Sequence, residues 1–287
     1  MEKKNKKSRL WVNILGIPLL ISCIYFGDTS IHLGKDFYLP TFSLFIYIVM
    51  FLSMVEWLNL LDIKSYSLRA INLLAIFFIF YCLAFASIDF HSPYWLGLLF
   101  VIIVHGLIIS IFHILVLTKN SLLQISSSIF GVLWIGLFIG SMIVVRHLDA
   151  GFQLTLMMFL SVWICDTFAF IFGSWYGQKK IIPRVSPNKT WLGSICGFIG
   201  SFIVPLIFHS YYPIEGFLLF DYLLCGFIFG LFGQLGDLFE SLLKREVNIK
   251  DTSNILHGHG GVLDRFDSLS FASPVLLIFL IIKYYIS

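Results

Sequence analysis

Long apolar runs separated by short polar loops dominate this sequence of 287 residues. Most of the runs reach the roughly 20 residues that a helix needs to cross a bilayer. Only 12% of the residues are charged, about half the share found in soluble domains. The sequence therefore predicts an all-α integral membrane protein with about nine transmembrane helices. The predicted spans are 10–27, 38–61, 68–88, 94–117, 122–145, 152–173, 191–209, 217–238 and 268–286.

Basic residues are concentrated in alternate loops. With the N-terminus placed in the cytoplasm, 16 of the 19 Lys and Arg residues fall on the cytoplasmic side. The side richer in these residues usually stays cytoplasmic. We therefore expect a cytoplasmic N-terminus and two cytosolic polar loops, 174–190 and 239–267. Since the basic residues follow topology and no basic run is interleaved with aromatics, we expect no nucleic-acid partner.

The two halves of the chain differ in their polar content. Residues 1–150 contain about five spans, short loops and few polar groups within the spans, which predicts a transmembrane scaffold. Residues 151–287 contain nearly all the polar groups at membrane depth, which predicts that this half, with its two cytosolic loops, carries the functional groups.

Charged side chains at membrane depth are candidate functional groups, because each costs about 2.5 to 3.5 kcal/mol on insertion scales. Asp166 lies within the sixth span, and Asp237 lies at the end of the eighth. If the eighth helix continues, four polar residues at i, i+3, i+4 and i+7 share one face. They are Asp237, Glu240, Ser241 and Lys244.

Loop 174–190 contains KKIIPRVSPNKTW, in which Ser186, Lys189 and Thr190 follow or flank prolines. Such a stiff turn presents donors suited to phosphate oxygens. An ordinary basic cytoplasmic loop explains the same residues equally well.

A polar run, HGHGGVLDRFDS at residues 257–268, interrupts the apolar C-terminal part. Its glycines, including Gly260 and Gly261, allow unusual backbone torsions and close approach. Asp264 and Asp267, at i and i+3, place two carboxylates near each other. Carboxylates together with substrate phosphate are the ligands that Mg²⁺ prefers. The run therefore predicts a Mg²⁺ and phosphate site at the cytosolic membrane face.

The segment SLLKREVNIKDTSNILHGHGGVLDRFD, residues 241–267, resembles the signature of the phosphatidate cytidylyltransferases, also called CDP-diacylglycerol synthases. The blocks DTFAFIFG, from Asp166 to Gly173, and SPNKTWLG, from Ser186, resemble the same family. The first half resembles it in hydropathy and at Glu56-Trp57.

The resemblance implies transfer of CMP from CTP to phosphatidate, with Mg²⁺ held by Asp237 and Asp264. It implies catalytic roles for Asp237, Lys244, Asp264, Arg265 and Asp267, and substrate-binding roles for Asp166, Ser186, Lys189, Ser241, Arg245, Lys250 and His259. The expected partners are CTP, phosphatidate and membrane lipid, and a homodimer is a further expectation. The expected location is the bacterial inner membrane, with multiple passes and the active site facing the cytosol.

Two positions depart from the family pattern. His257 stands where the family usually has Pro, and Leu192 stands where it commonly has Glu. The second departure removes a carboxylate, which keeps another lipid phosphate open as the substrate. A cation-coupled transporter is a further alternative, because intramembrane acids also mark ion pathways. Transporters commonly show two related halves, whereas the polar groups here are confined to one half.

Overall fold

The computed structural model describes residues 18–27, 30–32, 38–85, 92–116, 120–256 and 260–286. Within these residues, eight helical stretches are long and apolar enough to cross a membrane. They coincide with the second to ninth predicted spans and confirm an all-α integral membrane protein. Residues 18–25, in the first predicted span, are also helical, and the earlier part of that span lies outside the described residues.

Helices provide almost all of the regular structure in the described residues. A short antiparallel pair of strands, β1 (Ser30–His32) and β2 (Tyr38–Pro40), precedes the first long helix. A π-helical stretch, Val132–Ile139, separates the helix Ser121–Gly131 from the helix Gly140–Arg146. The helices are α1 (Thr41–Leu60), α2 (Tyr66–Phe85), α3 (Pro93–Val116), α4 (Ser121–Gly131), α5 (Gly140–Arg146), α6 (Gly151–Tyr176), α7 (Trp191–Gly200), α8 (Ile203–Tyr211), α9 (Leu219–Glu246) and α10 (Leu263–Ile286).

The chain forms two compact units. The first contains the described residues up to Leu148 together with Asp251–Arg265. The second contains Asp149–Lys250 and the residues from Phe266 onward. The predicted functional division near residue 150 stays a prediction, and the segment Asp251–Arg265 belongs structurally with the N-terminal helices.

The core of the first unit is built on one face of α1. Phe42, Ile46, Met50 and Met54 are fully buried at intervals of four residues, as expected for a helix with one packed face. Trp57 continues this face, and its indole N–H donates to the Ser127 carbonyl over 3.0 Å. These contacts hold the last turn of α1 in a fixed position.

Small residues bring α6, α7 and α9 of the second unit close together. A Cβ on Gly193 of α7 would lie 2.6 Å from the Ala169 carbonyl oxygen of α6, and one on Gly230 of α9 would lie 2.9 Å from Phe198 Cδ2 of α7. Membrane helices commonly pack through such small residues, since lipid tails are as apolar as leucine side chains. The polar ends of α6 and α9 are therefore carried by a closely packed helical group.

Two helices extend furthest beyond the predicted spans. Helix α9 continues from residue 238 to Glu246, and α10 begins at Leu263 rather than 268. Polar residues at these ends, including Lys244 and Asp264, are consequently helical.

Candidate active site

Four polar side chains line one face of α9, which confirms the prediction from their spacing. Ser241 Oγ donates to Asp237 Oδ1 over 3.4 Å. Lys244 Nζ donates to Glu240 Oε2 over 2.6 Å, and both of these side chains are buried. A buried charge is tolerated mainly when it is paired and hydrogen-bonded. The C-terminal end of α9 thus carries a buried ion pair that begins one turn beyond Asp237.

Loop 177–190 brings a second cation to this face. An isolated antiparallel bridge joins Lys180 to Thr190, and Ile181 N donates to the Lys189 carbonyl over 3.2 Å. The folded-back loop places Lys189 Nζ 2.6 Å from Asp237 Oδ2. Both side chains are about one-third exposed or less, at 26% and 32%. Lys189 is therefore available to a ligand that approaches Asp237.

Thr190 serves a structural purpose in this loop. It is the N-cap of α7, where its hydroxyl accepts a hydrogen bond from Gly193 N over 3.2 Å. Such a cap satisfies one of the backbone N–H groups that a helix start leaves unpaired. The buried Thr190 side chain fixes where α7 begins, and so fixes the adjacent Lys189.

Arg245 and Ser186 make contacts within the second unit that sequence alone did not predict. The guanidinium of Arg245 donates to the Val185 carbonyl over 3.3 Å and to the Ile249 carbonyl over 2.9 Å. Ser186 N donates to the Ile182 carbonyl over 2.9 Å. Arg245 thus joins loop 177–190 to the turn after α9.

Three carboxylates of the second unit lie near one another. The charges of Asp166, Asp237 and Asp267 interact electrostatically, and Lys189 and Lys244 offset them. Asp166 is exposed on α6. A Cβ on Gly236 would lie 3.2 Å from Phe271 Cβ, so this glycine allows α10 to pack against α9 beside Asp237.

Asp264 organises the segment Asp251–Arg265 of the first unit. Its Oδ2 atom accepts from Gly261 N over 2.7 Å, from Thr252 N over 2.9 Å and from Thr252 Oγ1 over 3.0 Å. Gly260 has a φ of 82°, a conformation that side chains disfavour. The predicted need for glycine in this run is confirmed at Gly260.

Glu56 was not predicted as a site residue, yet its carboxylate contacts the segment Asp251–Arg265. This fully buried carboxylate at the end of α1 accepts hydrogen bonds from Thr252, Ser253, Val262 and Leu263. The cost of a charge within an apolar span was the signal that could have identified it.

The remaining predicted residues are placed as follows. Lys250 and Arg265 are exposed, and Arg265 N donates to the Val262 carbonyl over 3.0 Å. His257 and His259 lie outside the described residues. Leu192, where the family commonly has Glu, is exposed on α7.

Carboxylates such as those of the site are the kind of ligand that Mg²⁺ takes in proteins. Within the described ranges, no three His, Cys, Asp or Glu side chains are grouped as a metal centre. Zinc sites usually have three or four protein ligands, whereas Mg²⁺ often takes one or two carboxylates, water and substrate phosphate. Asp237 in the second unit and Asp264 in the first are each partly exposed carboxylates.

Comparison with known proteins identifies the class. Residues 7–283 match the cytidylyltransferase family. The chain therefore belongs to this family and is a multi-pass membrane transferase of lipid biosynthesis.

Individual relatives carry a more specific name. A phosphatidate cytidylyltransferase of Staphylococcus haemolyticus is 38% identical over 277 residues, which cover 96% of this chain and 99% of that protein. Phosphatidate cytidylyltransferases of Staphylococcus saprophyticus and Staphylococcus aureus are 42% identical over 168 and 170 residues. Each of these two alignments covers 58% of this chain and 64% of the relative.

Proposed function

We propose that this protein is a phosphatidate cytidylyltransferase that makes CDP-diacylglycerol and pyrophosphate from CTP and phosphatidate. The observation that carries the proposal is the polar face of α9, where Lys189 lies 2.6 Å from Asp237 and Lys244 lies 2.6 Å from Glu240. Because the chain belongs to the cytidylyltransferase family, we expect this charged face to bind a nucleotide and a lipid phosphate.

The reaction requires two polyanions to meet. A phosphate oxygen of phosphatidate attacks the α-phosphorus of CTP, the bond to the β-phosphate oxygen breaks, and pyrophosphate leaves. Lys189 and Lys244 offset negative charge and hold the phosphates in line. Ser241 orients Asp237 through its 3.4 Å hydrogen bond. A separate general base is unnecessary, because the attacking phosphate is already an anion.

Asp237 and Asp264 are proposed as carboxylate ligands of Mg²⁺, which when bound would neutralise phosphate charge. Asp237 Oδ2 faces Lys189, and Asp264 Oδ2 already accepts three hydrogen bonds. Asp166 and Asp267 complete the acidic surroundings of the second unit.

The other predicted binding groups keep their proposed roles. Positively charged groups at the ends of α9 and α10 attract substrate phosphates, and Ser186 and His259 add donors. The cationic members of this set are Arg245, Lys250 and Arg265.

We further propose a bacterial inner-membrane location with the site facing the cytosol. The excess of basic residues in alternate loops supports this orientation. The same orientation gives the site direct access to cytosolic CTP.

The decisive experiment measures pyrophosphate release and CDP-lipid formation by the detergent-purified protein with CTP, phosphatidate and Mg²⁺. Asp264→Asn should lower the rate at least about 100-fold, the loss typical when an essential charged group is removed. Asp149→Asn, which changes an exposed carboxylate on another loop, is the matched control and should retain activity. Other lipid phosphates, tested in parallel, decide the substrate preference. Folded wild-type protein that produces no CDP-lipid from any of them would refute the proposal.

A further inference from the structure

A buried carboxylate from the N-terminal scaffold holds the glycine-rich segment in place. Glu56 Oε1 accepts from Ser253 Oγ over 2.6 Å and from Val262 N over 2.9 Å. Glu56 Oε2 accepts from Leu263 N over 2.8 Å and from Thr252 Oγ1 over 3.1 Å. Each oxygen thus lies within hydrogen-bond distance of one backbone N–H and one hydroxyl.

This arrangement specifically requires a carboxylate. The N–H groups of Val262 and Leu263 belong to the start of α10, where helices leave donors unpaired and favour negative charge. A glutamine at position 56 has one oxygen and one NH₂ group. Whichever way its amide is turned, the NH₂ group faces a backbone donor that it cannot satisfy.

Gly261 provides independent evidence that the segment is shaped around Glu56. A Cβ at this position would lie 2.6 Å from Glu56 Oε1. Real side chains do not approach so closely, so only glycine permits the carboxylate and the chain to meet. The glycine of the polar run and the glutamate of α1 therefore form one local structure.

Thr252 connects Glu56 to Asp264. Its hydroxyl lies 3.1 Å from Glu56 Oε2 and 3.0 Å from Asp264 Oδ2. A hydroxyl carries one proton and can donate to only one of them at a time. The backbone N–H of the same residue also donates to Asp264 Oδ2, over 2.9 Å. The position of Asp264 thus depends on a segment that Glu56 holds.

The geometry points to Glu56 as a positioning residue that acts through Thr252 on Asp264. This inference rests on the proposed function, because it concerns the carboxylate assigned there to Mg²⁺. It gives the N-terminal half an indirect part in the active site, beyond that of a scaffold. Glu56 itself is fully buried.

The test compares Glu56→Gln and Thr252→Val with three references in full-length protein. Wild type and Thr252→Ser keep the carboxylate and the hydroxyl. Asp62→Asn removes one exposed carboxylate just beyond the end of α1 and is the matched control for charge. The first readout is hydrogen exchange in metal-free protein at the amides of Thr252, Gly261, Val262 and Leu263. The second is the Mg²⁺ concentration that gives half-maximal CDP-lipid formation.

Losing an acceptor for a buried donor corresponds to roughly a 5- to 150-fold change in an equilibrium constant. We expect Glu56→Gln to speed exchange at least about fivefold at whichever of Val262 and Leu263 faces the new NH₂ group. We expect both Glu56→Gln and Thr252→Val to raise the half-maximal Mg²⁺ concentration by a similar factor. Thr252→Ser and Asp62→Asn should match wild type in both readouts. A purely structural loss would reduce the active fraction and leave the half-maximal Mg²⁺ concentration unchanged.

The outcomes separate this inference from the proposed function. If wild type is active, and Glu56→Gln and Thr252→Val require no more Mg²⁺ than Asp62→Asn, the inference is overturned and the proposed function stands. Wild type without CDP-lipid formation would overturn the proposed function, and hydrogen exchange would still report whether Glu56 holds the segment. If Glu56→Gln does not fold, the Thr252→Val and Thr252→Ser pair decides by the same criteria.

Discussion

Removing Lys244 should destabilise the protein through the buried charge that it leaves behind. Lys244 Nζ lies 2.6 Å from Glu240 Oε2, and the two side chains are only 11% and 1% exposed. Lys244 also attracts the nearby Asp267. Removing one partner of a buried ion pair typically costs about 3 to 5 kcal/mol. We expect Lys244→Met to cost about 3 kcal/mol, the lower end, because the ammonium is not completely buried.

The size of the effect can be followed by thermal unfolding. For chains of 150 to 250 residues, 1 kcal/mol shifts the Tm by about 2 to 4 °C, so Lys244→Met should lower it by roughly 6 to 12 °C. The double variant Glu240→Gln with Lys244→Met removes both charges and should recover most of this loss. The coupling between the two positions should be about 2 kcal/mol.

The assay is tryptophan fluorescence of detergent-purified protein, heated at one fixed rate, with CDP-lipid formation measured in parallel. The double variant should regain stability and remain inactive, because no cation is left at this position to hold phosphate. Lys64→Met, which removes an exposed lysine, is the control and should melt with wild type. Stability losses that simply add in the double variant would refute the reasoning, as would a Lys244→Met protein with an unchanged Tm.

Two further predictions concern the packing and charge of the second unit. Gly193→Ala places a methyl group 2.6 Å from a backbone carbonyl oxygen of α6 and should cost about 1 to 3 kcal/mol in thermal unfolding. Gly106→Ala, whose new Cβ has its nearest neighbour at 4.0 Å, should show no loss; equal Tm values would contradict this packing. Lys189→Met should raise the KM for CTP at least about tenfold, while its partly exposed pair with Asp237 contributes at most about 1 kcal/mol to stability. Lys180→Met is the control in the same loop, and an equal KM in both variants would remove Lys189 from the site.

The membrane fold could be predicted from sequence because its cause is local. A bilayer satisfies no backbone hydrogen bonds, so each long apolar run must form a helix wherever it packs. The ends of α9 and α10 were less predictable. Both extend into polar residues up to Glu246 and from Leu263, where hydropathy no longer indicates a helix. The π-helical stretch Val132–Ile139 also left no recognisable pattern in the sequence.

The candidate site was predictable where it depended on helical spacing or on the family signature. The spacing of Asp237 and Lys244 placed both on one face of α9 before any contact was known. Arg245 was predicted as a phosphate ligand, and the structure adds that it binds two backbone carbonyls. Such contacts depend on how a loop folds back, which neighbouring sequence does not specify.

The sequence by itself determined the class of fold, the family and the chemical character of the site. These properties can be read from the sequence because they depend on the lengths of the hydrophobic runs and on the positions of the charged residues. Only the tertiary structure decided that Glu56 meets Thr252 and Leu263, which lie about 200 positions further along the chain. A contact across that separation depends on the packing of whole helices, because any single residue pair contributes too little to leave a sequence pattern. The structure thereby assigned the N-terminal helices a part in holding the glycine-rich segment.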